Sequence, residues 1–278
     1  MMATAVDLHL PSGRIAAEIS GPDGGPLVVC VHGITANLRS YDPLVAHLAA
    51  RGRRVVAIDL RGRGRSEATP RGSYGWPAHA RDVLAVADAL GVDRFDLVGH
   101  SMGAFVSMQA ATLDGSRLQR VVLVDGIGIP EPSSLGPIAG AFQRLGVVFP
   151  SAGEFIGKIR SVGAVEPWSE TWQRMYEYEL EQVPGGVRSH TDLDACVEDA
   201  TWGTEHDAAD LWPGLTMPVL LVRAARPILP GLGYIVGADL RDRFLTQVAT
   251  ASLVGIDANH YTVITNPATA DAVAAFLS

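Results

Sequence analysis

The residues best suited to chemistry in this sequence begin with a serine between two glycines. The segment from Phe95 to Ala104 reads FDLVGHSMGA, so a G-x-S-x-G pattern follows an apolar, strand-like run and opens a helical pattern. A serine on a tight strand-to-helix turn needs small neighbours, and Gly99 and Gly103 let strand and helix approach while Ser101 projects its hydroxyl. A Gly/Ser turn that merely starts a helix is the alternative, but the strand-turn-helix context favours a nucleophile.

A nucleophilic serine needs a general base, and His260 is the candidate. It lies in the segment from Gly255 to Tyr261 (GIDANHY), and of the eight histidines it alone comes just beyond the last strand-like run. Where a serine in a G-x-S-x-G turn acts as a nucleophile, the acid and then the histidine follow it along the chain, so the base is expected near the last strand. An exposed loop histidine without a role is the alternative, yet the position of His260 and the presence of the serine agree independently.

Two backbone N–H groups complete the chemistry expected of such a serine. Attack on a carbonyl creates negative charge on its oxygen, which hydrogen-bond donors must stabilise. The segment from Val28 to Thr35 (VVCVHGIT) ends a second apolar run with His-Gly, and we predict that Ile34 and Met102 supply the two donors. His32 is a rival base, but at a strand end we expect it to fix the loop by hydrogen bonding.

These segments together resemble the α/β-hydrolase fold superfamily over nearly the whole chain. The matching features, in chain order, are His32-Gly33, Asp59 with its Gly-rich turn, Gly99-His100-Ser101-Met102-Gly103, an inserted cap and His260. The resemblance implies a serine hydrolase that uses neither metal nor cofactor. Its Gly-His-Ser-Met-Gly motif occurs in esterases, thioesterases, enol-lactone hydrolases and carbon–carbon bond hydrolases. Epoxide hydrolases and haloalkane dehalogenases carry aspartate at the position of Ser101, which argues against those two chemistries.

The chain departs from the commonest pattern of the superfamily at the acid. That acid is normally an Asp a few residues past the penultimate strand, but here Arg223 is followed by AARPILP, with no carboxylate before Asp239. We predict instead that Asp125 orients His260, because it ends the strand beside the nucleophile strand and parallel strand ends open on one face. A capping role for Asp125 stays open. Asp239 suits a helix N-cap, and Asp257, three positions before His260, suits bracing the turn.

The elements that must position these residues are those of an α/β fold, with a mostly parallel, twisted sheet flanked by helices. Short apolar runs predict strands buried on both faces of the sheet at Leu27 to Val31, Val55 to Ile58, Phe95 to Val98, Val121 to Val124, Val219 to Val222 and Ala251 to Ile256. Helical spacing of apolar residues is found at Tyr41 to Arg51, Ala78 to Leu90, Met102 to Thr112, Asp239 to Val248 and Pro267 to Leu277. Two alternating segments, Val6 to Leu10 and Arg14 to Ile19, predict an antiparallel hairpin at the sheet edge.

One stretch breaks this alternation of strands and helices. From Gly126 to about Trp212 no buried strand of that type is predicted, and a structureless loop of this length is improbable in a compact domain. We therefore predict an α/β-hydrolase core over residues 1–126 and 213–278, with a helical cap inserted over 127–212. Four aromatic residues of the cap are candidates to line an apolar substrate pocket, with packing as the alternative: Trp168, Trp172, Tyr176 and Trp202.

Composition limits the expected partners and location. The 278 residues include 22 Lys and Arg against 30 Asp and Glu, and this net charge of −8 argues against nucleic-acid binding. The first residues carry Asp7 and Glu18 and lack the unbroken apolar stretch of a signal peptide, so a cytoplasmic location without a membrane partner is expected. Cys30 and Cys196 alone suggest no disulfide framework and no metal cluster. A small-molecule substrate is the expected partner, and a homodimer stays open.

The function predicted from these features is hydrolysis of a small, partly hydrophobic ester, lactone or amide-like substrate by acyl transfer. Two alternatives stay open. One is cleavage of a carbon–carbon bond next to a ketone by the same serine and histidine. The other is a receptor that keeps the hydrolase fold and binds a ligand without turnover, since fold does not determine function.

Overall fold

The computed structural model describes residues 3–278, with one large sheet at the centre. The strands of this part of the chain are Thr4–Leu10 (β1), Gly13–Ser20 (β2), Leu27–Val31 (β3), Arg54–Ile58 (β4), Phe95–His100 (β5), Leu118–Val124 (β6), Leu180–Val183 (β7), Gly186–Ser189 (β8), Val219–Ala224 (β9) and Ala251–Ile256 (β10). Eight of them form the sheet in the order β1-β2-β4-β3-β5-β6-β9-β10. From β4 to β10 all neighbours in this order are parallel, whereas β2 is antiparallel to both β1 and β4. The predicted fold class is confirmed.

Helices connect most of the parallel strands. The α-helices of the described residues are Asp42–Ala49 (α1), Trp76–Ala89 (α2), Met102–Asp114 (α3), Leu135–Phe142 (α4), Ala152–Arg160 (α5), Glu170–Tyr178 (α6), Leu193–Glu205 (α7), Ala238–Gln247 (α8) and Pro267–Phe276 (α9). Local signals set several starts: the side chains of Asp192 and Asn266 accept hydrogen bonds from the first turns of α7 and α9. No helix within residues 3–278 has both the length and the apolar character needed to cross a membrane.

The central strands are buried because helices cover both faces of the sheet. Every residue of β3 and β5 is buried, as their apolar runs predict. The strand predicted at Ala251 to Ile256 is confirmed as β10, but the predicted burial on both faces is wrong there. β10 is the edge strand of the sheet, and Leu253 is 38% exposed. The predicted N-terminal hairpin is confirmed, with β1 and β2 antiparallel and Leu10 paired with Gly13 at the turn.

The segment between β6 and β9 contains four α-helices, α4 to α7, and also a second, two-stranded sheet. β7 and β8 form an antiparallel hairpin, which was not predicted from the sequence within this otherwise helical segment. Pro184 and Gly185 make its turn, and Gly185 has a φ of 93°, which glycine adopts without strain. The division into core and cap domains stays a prediction. This segment does have an apolar cluster of its own, formed by Phe155, Ile156, Val165, Trp172, Met175, Tyr176 and Val187.

Candidate active site

Ser101 lies on a strained turn between β5 and α3. Its φ of 56° is unusual for a residue with a side chain, and such strain persists only where the surroundings impose it. A Cβ added at Gly99 would lie 2.1 Å from the carbonyl oxygen of Gly103, and one at Gly103 would lie 2.0 Å from that of Val31. Both glycines are therefore required for the close approach of helix and strands that exposes the serine hydroxyl.

The ring of His260 lies between Ser101 and Asp125. Its Nε2 is 3.1 Å from Ser101 Oγ, and its Nδ1 is 2.9 Å from Asp125 Oδ2. The three residues follow β5, β6 and β10, whose carboxyl ends meet at one edge of the parallel sheet. The carboxylate can only accept, so the network assigns the proton to Nδ1 and leaves the Nε2 lone pair facing the serine hydroxyl. That is the arrangement a general base needs.

Asp125 is held by its backbone as well as by its side chain. Its φ is 48°, its N–H donates to the carbonyl of Val222 at 2.8 Å, and its Oδ1 accepts from the N–H of Ala224 at 3.0 Å. It is almost completely buried. Of the other two acids considered, Asp257 is exposed and pairs with Arg226, whereas Asp239 lies in the first turn of α8.

The two expected oxyanion donors lie beside Ser101. Met102 is the first residue of α3, so its N–H has no acceptor within the helix. Ile34 follows Gly33 in the loop after β3 and lines the same cavity as Ser101. A Cβ at Gly33 would lie 3.1 Å from Ser101 Cβ, so this loop passes directly against Ser101. Their role in stabilising an oxyanion stays a prediction.

His32 fixes the loop after β3, as expected. Its Nδ1–H donates to the carbonyl oxygen of Gly33 at 2.7 Å, and its Nε2 accepts from the N–H of Leu60 at 3.0 Å. Both ring nitrogens are therefore used, and burial lowers the pKa of His32 to about 3. A neutral, fully bonded ring cannot act as a base for Ser101.

His100 is a neighbour of the site that sequence reasoning missed. Its Nε2–H donates to the backbone carbonyl of His260 at 3.0 Å, and the two rings lie 4.9 Å apart. Burial, together with the nearby His260 ring, holds the pKa of His100 well below its ordinary value. A neutral His100 therefore supports the loop of His260 without adding charge beside it.

Asn259 connects this loop to the segment between β6 and β9. Its Oδ1 accepts from the backbone N–H groups of Tyr261 and Thr262. Its Nδ2 donates to the carbonyl oxygen of Ala164 at 2.7 Å. The loop of His260 is thus held by His100 on one side and, through Asn259, by Ala164 on the other. The sequence signal for Asn259 was only its place next to the histidine.

The cavity at Ser101 is lined by residues of the core and of the inserted segment. Trp172 and Tyr176 line it, as expected of cap aromatics. Trp168 stacks on Tyr176, with ring centroids 5.8 Å apart, but is not part of the cavity wall. The prediction that Trp202 lines this cavity is wrong, because its ring stacks on His206, with ring centroids 3.9 Å apart, and lines a different groove. Lining residues not foreseen include Ile138, Ala141, Arg144, Met175, Tyr261 and Ile264.

Arg144 is the charged residue that matters most for the character of the cavity. Its side chain is only 10% exposed and lies 3.2 Å from the carboxylate of Glu179, which is fully buried. Its guanidinium also lies 5.8 Å from the centre of the Tyr176 ring. The ion pair offsets the charge of Arg144, but its Nε is buried without a hydrogen-bond partner among residues 3–278. The wall next to Ser101 therefore combines apolar side chains with one unused donor.

Comparison with known proteins decides the family. A sequence model described as alpha/beta hydrolase fold matches residues 26–146, the region that contains Ser101 and both predicted oxyanion donors. The chain belongs to the α/β-hydrolase fold superfamily. The crystal structure of E-2-(acetamidomethylene)succinate hydrolase superposes on it with a TM-score of 0.87 at 23% identity, covering 99% of each chain. A hypothetical protein of Pseudomonas aeruginosa PAO1 superposes with a TM-score of 0.75 at 31% identity, covering 98% of this chain and 97% of that one.

Curated relatives of this hydrolase-fold chain match it over shorter stretches. A serine hydrolase-like protein of Danio rerio is 35% identical over 127 residues, which are 45% of this chain and 39% of the relative. A 2-(acetamidomethylene)succinate hydrolase of Mesorhizobium japonicum is 27% identical over 220 residues, 76% of this chain and 74% of the relative. The chain spans less than half the length of the first curated relatives it matches.

Proposed function

We propose that this chain is a serine hydrolase that cleaves a small, partly hydrophobic ester, lactone or amide-like substrate. The observation that best supports the proposal is the hydrogen-bonded row Ser101, His260 and Asp125, with distances of 3.1 and 2.9 Å. Nucleophile, base and orienting acid in this order are the arrangement that activates a serine hydroxyl for acyl transfer.

The reaction would proceed in two steps. Ser101 Oγ attacks the substrate carbonyl while His260 Nε2 takes its proton, and the N–H groups of Ile34 and Met102 stabilise the oxygen that becomes negative. His260 returns the proton to the leaving group as the bond to the carbonyl carbon breaks, which leaves an acyl-serine. Water then attacks this acyl group with His260 again as base, releasing the acid and restoring Ser101. Asp125 keeps the proton on Nδ1 and stabilises the charged ring throughout.

The cavity and the relatives support an acyl substrate of modest size. Trp172, Tyr176 and Tyr261 give the cavity at Ser101 aromatic walls, which suit a partly hydrophobic group. One relative is named as a putative carbamate hydrolase, and another as an N-formylmaleamate deformylase. These names favour keeping amide-like substrates in the proposal beside esters and lactones.

A substrate panel with matched variants tests the proposal. We expect turnover of at least one short acyl ester, lactone, thioester or amide, and its loss in Ser101→Ala. The thermal midpoint of Ser101→Ala should stay within a few degrees, since one hydroxyl contributes little packing. Labelling of Ser101 by an organophosphate should become much slower in His260→Ala, because the base activates the nucleophile. Cleavage of vinylogous diketones alone would instead indicate a carbon–carbon bond hydrolase, and ligand binding without any turnover would indicate a receptor.

A further inference from the structure

A second cavity adjoins the one at Ser101. The two share four lining residues, Ala141, Arg144, Tyr176 and Tyr261. The cavity at Ser101 has a volume of about 80 Å³, whereas the adjoining one has about 300 Å³. A substrate that reacts at Ser101 and is larger than a small acyl group therefore needs space beyond the first cavity. The second cavity is the space that borders it at these four residues.

The lining of the second cavity is mostly apolar. Beyond the shared wall its carbon-rich surface comes from Pro137, Phe149, Ile159, Val162, Ala164 and Val165. The remaining polar contributions are few. Arg144 is paired with the buried Glu179 carboxylate. Gln143 and Lys158 are exposed, so the amide of Gln143 and the ammonium group of Lys158 can remain in water. An apolar group bound there would be transferred out of water without uncovering an unpaired charge.

We propose that this adjoining cavity, the tail cavity, binds an alkyl or aryl chain attached to the bond cleaved at Ser101. The inference rests on the proposed function and names the substrate class within it: molecules with a small reactive carbonyl and an apolar tail of several carbons. The tail is on either the acyl or the leaving-group side of the bond. Each methylene that enters the cavity improves binding by up to about fourfold, the equivalent of about 0.8 kcal/mol.

Two glycines of α4 provide a matched test. Gly140 lines the tail cavity, and Gly136, one turn earlier, lines neither of the two cavities. A Cβ added at either position meets no atom within 4 Å, so both accept a side chain without backbone conflict. Gly140→Phe should fill the tail cavity, whereas Gly136→Phe makes the same change to the helix away from it.

The experiment compares kcat/KM for p-nitrophenyl esters with acyl chains of increasing length and for acetates of alcohols of increasing length. In the native protein we expect kcat/KM to rise with length in one of the two series, which identifies the side of the bond that enters the tail cavity. Gly140→Phe should lower kcat/KM for the longest esters of that series by at least about tenfold, while kcat/KM for the shortest ester stays unchanged. Gly136→Phe should behave like the native protein. A flat or falling dependence in both series, or equal behaviour of the two variants, would overturn the proposal.

A binding measurement separates this inference from the proposed function. Methyl ketones with increasing alkyl length carry the carbonyl and the tail but no bond to cleave. Calorimetry with Ser101→Ala should give dissociation constants that fall with length, and the additional Gly140→Phe change should abolish the trend. Such binding without hydrolysis of any ester, lactone, thioester or amide of the panel would reject the proposed function and keep the tail cavity. Ester hydrolysis with ketone affinities independent of length would do the reverse.

Discussion

Replacing Asp125 with asparagine tests the orientation of His260 with little change of shape. In the native protein Oδ2 accepts from His260 Nδ1 and Oδ1 accepts from the N–H of Ala224. An asparagine can keep the second hydrogen bond only by turning its carbonyl oxygen toward Ala224. Its NH2 group then faces Nδ1, which must become an acceptor, and the proton moves to Nε2. In that tautomer the ring cannot take the proton of Ser101.

The size of the fall in kcat follows from the free energy needed to form the active tautomer, with the proton on Nδ1, in the variant. To restore Nδ1–H, the amide must flip, which sets two N–H groups against each other at Ala224 in a buried site. An unsatisfied buried donor costs about 1–3 kcal/mol, which corresponds to roughly 5- to 160-fold in rate. The imidazolium formed during reaction also loses a carboxylate 2.9 Å away. The two effects together predict a fall in kcat of up to about four orders of magnitude.

The assay is steady-state hydrolysis of the best ester from the panel, with thermal unfolding to show that the variant folds. Asp257→Asn and Asp239→Asn are the controls, and each should keep most of the activity because their carboxylates lie at the surface or at a helix start. The reasoning would be refuted by nearly full activity of Asp125→Asn together with loss of activity in either control.

Two further predictions concern stability. Burial lowers the pKa of His32 to about 3, so below about pH 6.5 the unfolded chain takes up a proton that the folded protein excludes, and the free energy of unfolding falls by up to about 1.4 kcal/mol per pH unit. Burial raises the pKa of Asp59 to about 6, so between about pH 4 and 6 this carboxyl makes the free energy of unfolding change with pH in the opposite direction. To isolate the contribution of His32, urea unfolding of His32→Gln is compared with that of the native protein at several pH values. An unchanged pH dependence in the variant would contradict a buried, neutral His32. Gly103→Ala should lower the free energy of unfolding by about 1–3 kcal/mol or more, because the added Cβ would collide with the backbone of Val31. Gly24→Ala is the control, since a Cβ there meets no atom within 4 Å, and it should leave the free energy of unfolding nearly unchanged in the same urea titration.

Much of the fold follows from local sequence pattern, because β-branched apolar runs and helical spacing are properties of neighbouring residues. The runs that became β3 and β5 are predictable for that reason, as is the hairpin of β1 and β2. The exposure of β10 is not, since its sequence does not reveal which strand ends the sheet. The hairpin of β7 and β8 had a signal in Pro184 and Gly185, but its strands are too short and too polar for the pattern of a buried strand.

The candidate site divides in the same way. The meeting of Ser101, Asp125 and His260 could be expected because all three follow parallel strands and such strand ends share one edge of a sheet. The contacts of His100 and Arg144 could not, because each depends on a partner far along the chain, at His260 and Glu179. Trp202 illustrates the converse limit. An aromatic residue in an inserted segment indicates burial, but the sequence does not say against which surface.

The long separation of the site residues along the chain determines when the candidate active site can assemble during synthesis and folding. His260 is 159 residues from Ser101 and 135 from Asp125, and it follows β10, which pairs with β9 at the sheet edge. During synthesis Ser101 and Asp125 leave the ribosome long before His260 exists. Until β10 docks on β9, Ser101 lacks the imidazole that we propose as its base. Return of activity after dilution from denaturant should therefore report completion of the sheet edge, a contact of high sequence separation, rather than early collapse of the core.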